Sequence, residues 1–226
     1  MTATIPTNWS FSRWDCWRQC PLKYKLQFID KLPTRPSTAM VRGNAVHVAL
    51  AKYVEGKTEA VPAEVKHREH QAVVAFMRDF DGMKLVEKQW GFDEKWKPTG
   101  YFGKDIWLRA ILDVALIYDD AEVEAVDWKT GKIYGSNEDQ VELFALTVMW
   151  QYTQAQNVVT RLVYLDDKDG TQLLSEFPAK DKAKLTTKWV EAARPMLADR
   201  AWLARPNDKC VWCDFGQSKG GPCRHG

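Results

Sequence analysis

AILDVALIYDDAEVEAVDWKTGK, residues 110–132, decides the fold. It falls inside two apolar runs, Ile106 to Tyr118 and Val123 to Trp128, with Asp119-Asp120 as the turn signal between them. Runs of this kind around a short polar turn predict an antiparallel hairpin. Asp113 is expected near the end of the first strand, and Asp127 and Lys129 follow on the second. Alternate residues of a strand share a face, so Asp127 and Lys129 point together while Trp128 packs on the opposite side. The hairpin then sets Asp113 beside Asp127, and two carboxylates and an ammonium meet.

Hard carboxylate oxygens suit Mg²⁺ or Mn²⁺, and Mg²⁺ needs only one or two of them because it keeps several waters. Hydrolysis of a phosphodiester requires charge neutralisation on the phosphoryl oxygens, hydroxide near neutral pH and support for the leaving oxyanion. A divalent cation meets all three demands. Lys129 is placed to orient the attacking water or to stabilise developing negative charge. Asp-x-Lys by itself is a weak signal, since charges at strand ends are ordinarily solvated or ion-paired. Its weight comes from its neighbours in order: Gly43-x-x-x-His47, Glu87, then Thr130-Gly131-Lys132 directly after the lysine, and Gln140.

Outward from the hairpin, Ser10 or Ser12 caps a first helix running to about Cys20, Pro21 interrupts it or opens the next turn, and Leu22 to Phe28 is helical again. Lys31 to Ser37, with two prolines, is a loop. Gly43 to Val54 and Ala63 to Phe80 carry apolar residues at mostly helical intervals, and Leu85 to Trp90 is a strand. Glu138 to Tyr152 is a helix, Val158 to Leu165 and Thr171 to Phe177 are strands, and Ala179 to Ala204 is a long amphipathic helix. The expectation is an α/β fold, a central mixed sheet flanked by helices. No internal repeat or linker divides the 226 residues, so residues 1–226 are read as one domain.

With 45% hydrophobic and 27% charged residues the composition is that of an ordinary globular protein, without an apolar run long enough to cross a bilayer. The first residues lack the apolar stretch of a secretory signal, which leads to a cytoplasmic expectation and no membrane partner. A net charge of +2 announces no nucleic acid, but its distribution says more. Arg13 to Arg42 holds seven basic residues against Asp15 and Asp30, while Asp119 to Asp127 holds five acidic residues and no basic one. Trp9, Trp14 and Trp17 crowd the basic stretch. They either pack in the core, as their helical spacing favours, or stack unpaired bases of a single strand.

Five cysteines in a cytosolic chain point to metal rather than disulfides. Cys210-x2-Cys213 gives the tight bite for one ion, Cys223 a third ligand, and Cys20 a fourth that would clamp residues 205–226 to residues 10–30 as a metal-binding subdomain. Cys16, four positions before Cys20, shares its helical face and either competes as ligand or lies near the site as a reduced thiol, with Cys20 the preferred ligand.

Taken together, these motifs resemble the RecB-like branch of the PD-(D/E)xK nuclease superfamily, which includes CRISPR-associated adaptation nucleases and phage exonucleases. The resemblance spans about Ser10 to Cys223. It implies a restriction-endonuclease-like core, His47, Asp113 and Asp127 as metal ligands with the Trp128 carbonyl completing the shell, Lys129 as the catalytic lysine, Gln140 as a catalytic residue that supports the site or contacts DNA, and Glu87 as a nearby acidic position. Cys20-Pro21-Leu22-Lys23-Tyr24 is similar to the first element of that branch's four-iron four-sulfur site, which implies such a cluster on Cys20, Cys210, Cys213 and Cys223, with Zn²⁺ the alternative. Phe144 stands where a tyrosine often follows the glutamine, Ala110 where a glycine commonly precedes the aspartate, and Asp214 where a proline is common after the middle cysteine. Cys213 and Cys223 are also farther apart than the branch leads one to expect.

The resulting expectation is a Mg²⁺- or Mn²⁺-dependent DNA exonuclease, acting on ends or single strands in a bacterial or phage-infected cell and working with recombination, repair or replication proteins. The competing reading is a noncatalytic DNA-binding or assembly subunit on the same fold.

Overall fold

In the computed structural model residues 7–118, 121–133 and 136–226 are described, so the Asp119-Asp120 turn lies outside the described residues. Helix α1 (Phe11–Gln19) starts at Ser10, whose hydroxyl accepts the Arg13 N–H at 3.4 Å, and ends at Cys20 in extended conformation. Pro21 opens α2 (Pro21–Tyr24), which runs into a single π turn over Lys25–Ile29. Helix α3 (Thr38–Val54) is capped by the Ser37 hydroxyl on Met40 N–H at 3.2 Å. Its start precedes the expected Gly43 by five residues, because a cap rather than an apolar repeat sets where a helix begins. Helix α4 (Arg68–Asp79) is shorter than the expected Ala63–Phe80: Val65 is already committed to the core, its N–H bonded to the Pro62 carbonyl in a turn.

The sheet is mixed, as expected. Strands β1 (Met83–Phe92), β2 (Pro98–Thr99), β3 (Leu108–Ile117), β4 (Glu122–Lys129), β5 (Asn157–Tyr164) and β6 (Gln172–Pro178) lie in the order β2-β1-β3-β4-β5-β6. β3 and β4 pair antiparallel, and β4 and β5 are parallel because α5 (Ser136–Gln151) crosses between them. The remaining neighbours are antiparallel. Helix α6 (Lys182–Ala198) runs through Pro195 and ends well before Ala204, since the Asp199 carboxylate takes the N–H groups of Ala201 and Trp202 and turns the chain.

Helices cover both sheet faces. On one, Val46, Leu50, Val54, Val74 and Met77 of α3 and α4 pack on Val114, Leu116, Val126 and Trp128. On the other, Leu143 and Leu146 of α5 and Leu185 and Trp189 of α6 pack on Leu112, Ala115, Val123 and Ala125. Trp9, bridged to Leu108, stacks on Trp189 at 6.0 Å, and Trp14 meets the same ring at 5.0 Å. The Trp9 and Trp14 rings therefore serve the core, not a base-stacking surface, and Trp17 is held by its indole N–H on Asp199 at 2.8 Å. Among the described residues no helix is long and apolar enough to cross a membrane.

Candidate active site

Asp113 stands in the middle of β3 rather than near its end, where the sequence reading put it. It is the β3–β4 ladder that ends there: pairing runs from Ile117↔Val123 only as far as Val114↔Val126. Where the strands part, the Asp113 carboxylate takes the place of a ladder partner and accepts the Trp128 N–H at 2.8 Å. Its other oxygen faces His47 Nδ1 of α3 at 3.2 Å.

The opposite neighbour of Asp113 is also irregular. The β1–β3 register passes from Val86↔Val114 to Lys88↔Leu112 with Glu87 and Asp113 unpaired between them. Glu87 holds φ 49, left-handed backbone that a glutamate in a strand adopts only under constraint. Side-chain alternation inverts across this point: Leu108, Ala110 and Leu112 join the α5–α6 core, but beyond Asp113 it is Ala115 and Ile117 that do so. The inversion aims Glu87 and Asp113 at His47, and one ligand atom from each of these three lies within 4.8 Å of the others.

Lys129 and Asp127, two apart on β4, share a side as expected, while Trp128 is buried on the α3–α4 face. The Lys129 ammonium lies 2.6 Å from Asp127 Oδ2 and donates to Gln140 Oε1 of α5 at 2.6 Å, while Gln140 Nε2 donates to Asp127 Oδ1 at 3.2 Å. The Lys129 ammonium is thus the partner of the buried Oδ2, and it offsets part of the cost of burying that carboxylate. Burial pushes the Asp127 carboxyl up to about 6; Lys129 opposes the rise and the Asp113 charge adds to it. Burial and Asp113 likewise raise Glu87. At His47 burial lowers the pKa, but the Asp113 hydrogen bond and the surrounding carboxylates outweigh it and the net shift is upward. Three carboxylates, Glu87, Asp113 and Asp127, thus meet one ammonium and one imidazole.

Two features of this region were not legible in advance. Gly43 lets α3 approach the loop after Lys129 closely: a Cβ there would stand 3.1 Å from Thr130 Oγ1. Beside it Arg42 grips Asp166 through two bonds of 2.6 Å, and Asp166 also accepts the Gly131 N–H at 2.8 Å. Asp166 thereby ties the helix of His47 to the segment that follows Lys129. No local pattern marks an Arg–Asp pair separated by 124 positions.

The cysteines also converge. Cys20, Cys210, Cys213 and Cys223 line one pocket, and His225, absent from the sequence reading, lines it with them. Backbone N–H groups of Arg205 and Asn207 point at the Cys20 and Cys210 sulfurs at 3.5 and 3.4 Å. Asn207 and the Arg205 guanidinium donate to the Gln19 and Arg18 carbonyls at the end of α1. Cys16 stands apart from the lining, and burial pushes its thiol up to about 12.

The sequence profile of the PD-(D/E)XK nuclease superfamily matches residues 8–218. The chain belongs to this superfamily. Among solved structures this PD-(D/E)XK chain is similar to a protein from Eubacterium rectale named as a candidate exonuclease, with TM-score 0.50, 10% identity, 91% of this chain and 88% of that one covered. It is also similar to the protein SSO0001, with TM-score 0.48, 12% identity, and 94% and 85% covered. At 10% identity the Eubacterium rectale structure speaks for the fold alone. No curated protein matches the sequence. PD-(D/E)XK nucleases use divalent metals, and the residues present fit one: His47, Glu87 and Asp113 each bring a hard or borderline donor atom within 4.8 Å of the others.

Proposed function

We propose that the chain is a Mg²⁺- or Mn²⁺-dependent deoxyribonuclease of the RecB-like branch, an exonuclease that hydrolyses phosphodiester bonds from DNA ends in recombination, repair or replication. One observation carries the reading: Asp113 and Asp127 flank the point where β3 and β4 separate, with Lys129 and Gln140 on one side and His47 and Glu87 on the other.

His47, Asp113, Asp127 and the Trp128 carbonyl would hold the divalent cation, with Glu87 near enough to join them. When bound, the cation supplies charge neutralisation and an acidified water. The protein's own groups do the rest. Asp113, anchored by the Trp128 N–H, holds its carboxylate rigidly. Gln140 fixes Lys129 and Asp127 relative to each other, so that the ammonium is preorganised toward charge developing on the phosphoryl or leaving oxygen.

The cysteine pocket, by this reading, joins residues 10–30 and 205–226 as a structural subdomain within the single domain 1–226. Cys20, Cys210, Cys213 and Cys223 are the ligands, and the N–H groups aimed at two of the sulfurs support thiolates. A four-iron four-sulfur group is the first reading of what these four cysteines hold, with Zn²⁺ the alternative.

Digestion of end-labelled single- and double-stranded DNA, linear against circular, tests the activity. The wild-type chain is expected to degrade linear DNA in Mn²⁺, and Asp113→Ala and Lys129→Ala to lose at least about a hundredfold. Equal activity in all three refutes the centre; cutting of closed circles at the linear rate refutes end dependence. Anaerobic purification with elemental analysis decides the cysteine group, since zinc without iron or sulfide excludes the cluster.

A further inference from the structure

At the other end of β3 stands a pair of arginines that the fold does not neutralise. Arg109 is the second residue of the strand, its N–H on the Trp9 carbonyl at 2.8 Å, and Arg13 of α1 holds the adjacent Asn8 at 2.7 Å, so one short segment brings the two together. Neither has a carboxylate within ion-pairing distance among the described residues. Arg13 is pushed below its usual pKa by burial and by Arg109, against a partial offset from nearby tyrosines. Their hydrogen bonds use few of their donors: Arg13 NH1 reaches Asn8, and Arg109 Nε reaches the Tyr101 carbonyl at 2.9 Å. Two adjacent, unpaired cations are costly for a fold to keep unless an anion meets them.

Aromatic rings surround the pair. The Arg109 guanidinium lies 5.3 Å from the Tyr101 ring and 5.7 Å from that of Phe102. Phe102 is 81% exposed, although Trp9, Trp14, Trp90, Trp96, Trp107, Trp128 and Trp189 are all buried. A fold with so much aromatic core capacity left this ring in water. The strip of sheet between the rings and the catalytic centre is open: Ile111 and its partner Gln89 are exposed, and the strip ends at the unpaired Glu87 and Asp113. Arg109 precedes Asp113 by four residues, about 13 Å at roughly 3.3 Å per residue, a span that a few nucleotides of one strand cover.

We propose that Arg13, Arg109, Tyr101 and Phe102 form a subsite for single-stranded DNA, the two guanidiniums holding a backbone phosphate and Phe102 stacking an unpaired base, while the strand runs along Ile111 and Gln89 to the catalytic centre. This rests on the nuclease reading above and adds the substrate class and its path. Guanidinium donors match phosphate oxygens, and an exposed ring accepts any base face without regard to sequence.

Fluorescence anisotropy of labelled oligo(dT) and of blunt duplex, with the full chain in EDTA, tests it apart from catalysis. Phe102→Ala is expected to weaken oligo(dT) binding about tenfold and to leave blunt duplex binding unchanged. Arg109→Ala is expected to reduce the slope of log K against log salt by about 0.7, and Arg109→Lys to retain it. Circular dichroism checks that the variants fold. Wild-type affinity and slope in both variants, with DNA cutting intact, overturns the subsite and leaves the nuclease reading standing. Equal losses on duplex and single strand overturn the stacking assignment. A wild-type chain that neither binds nor cuts DNA overturns both.

Discussion

Asp113→Asn separates the two duties of one carboxylate. An asparagine side chain still offers an oxygen to the Trp128 N–H, so the buried amide keeps a partner. It also removes a charge that helps raise Asp127. The metal-free variant should therefore be within about 1 kcal/mol of wild type, whereas Asp113→Ala, which leaves the amide unpaired, should cost about 1–3 kcal/mol. In a chain of this size each kcal/mol moves Tm by roughly 2–4 °C. The cation response should behave in the opposite way. A divalent ion at about a hundred times its Kd stabilises the wild type by about 2.7 kcal/mol, or roughly 5–10 °C, and should stabilise neither variant comparably. Differential scanning fluorimetry in EDTA and in Mn²⁺ reads both effects, and a digestion assay should show both variants down at least about a hundredfold. If Mn²⁺ raises the Tm of Asp113→Asn as much as that of wild type, Asp113 is not a ligand and the reasoning fails.

Three further outcomes follow from other contacts. Gly43→Ala should leave stability nearly unchanged, since the helix gains about 1 kcal/mol of propensity while its new Cβ presses on Thr130 Oγ1, yet lower kcat by shifting His47; adding Thr130→Ala should restore activity, and a double variant no better than the single one counts against the close approach. Asp127 has a folded pKa above its unfolded one, so its protonated form contributes stability that is complete below about 4 and is lost as pH rises through about 6. Asp127→Asn in EDTA should then be more stable than wild type at pH 7.5, by on the order of 2 kcal/mol in urea denaturation, and indistinguishable from it near pH 4. With its thiol at about 12, Cys16 should resist alkylation at pH 8 until the protein unfolds, and Cys16→Ser should retain the bound iron or zinc that Cys20→Ser loses.

Much of the site could be read from spacing. Asp127 and Lys129 share a side because a strand alternates, and Gln140 reaches both because the crossover helix starts a few residues on. Elements were legible wherever an apolar period was long, as in β3, β4 and α5. They were misjudged where polar contacts set the boundary: Ser37 starting α3, Asp199 stopping α6. Asp113 shows the difference most clearly. Its partnership with Trp128 N–H depends on where a ladder stops, and the apolar run of β3 continues past that point without a sign of it.

Sequence by itself determined the superfamily, because the residue types and their order along the chain already carry the resemblance that the profile match over residues 8–218 bears out. Tertiary structure alone decided the geometry. The left-handed backbone at Glu87, the inversion of β3 at Asp113, the grip of Arg42 on Asp166 and the unneutralised pair of Arg13 and Arg109 all arise between segments distant in sequence. A local pattern records which side chains a segment carries; which charges meet, and which are left without a partner, depends on how the whole chain closes.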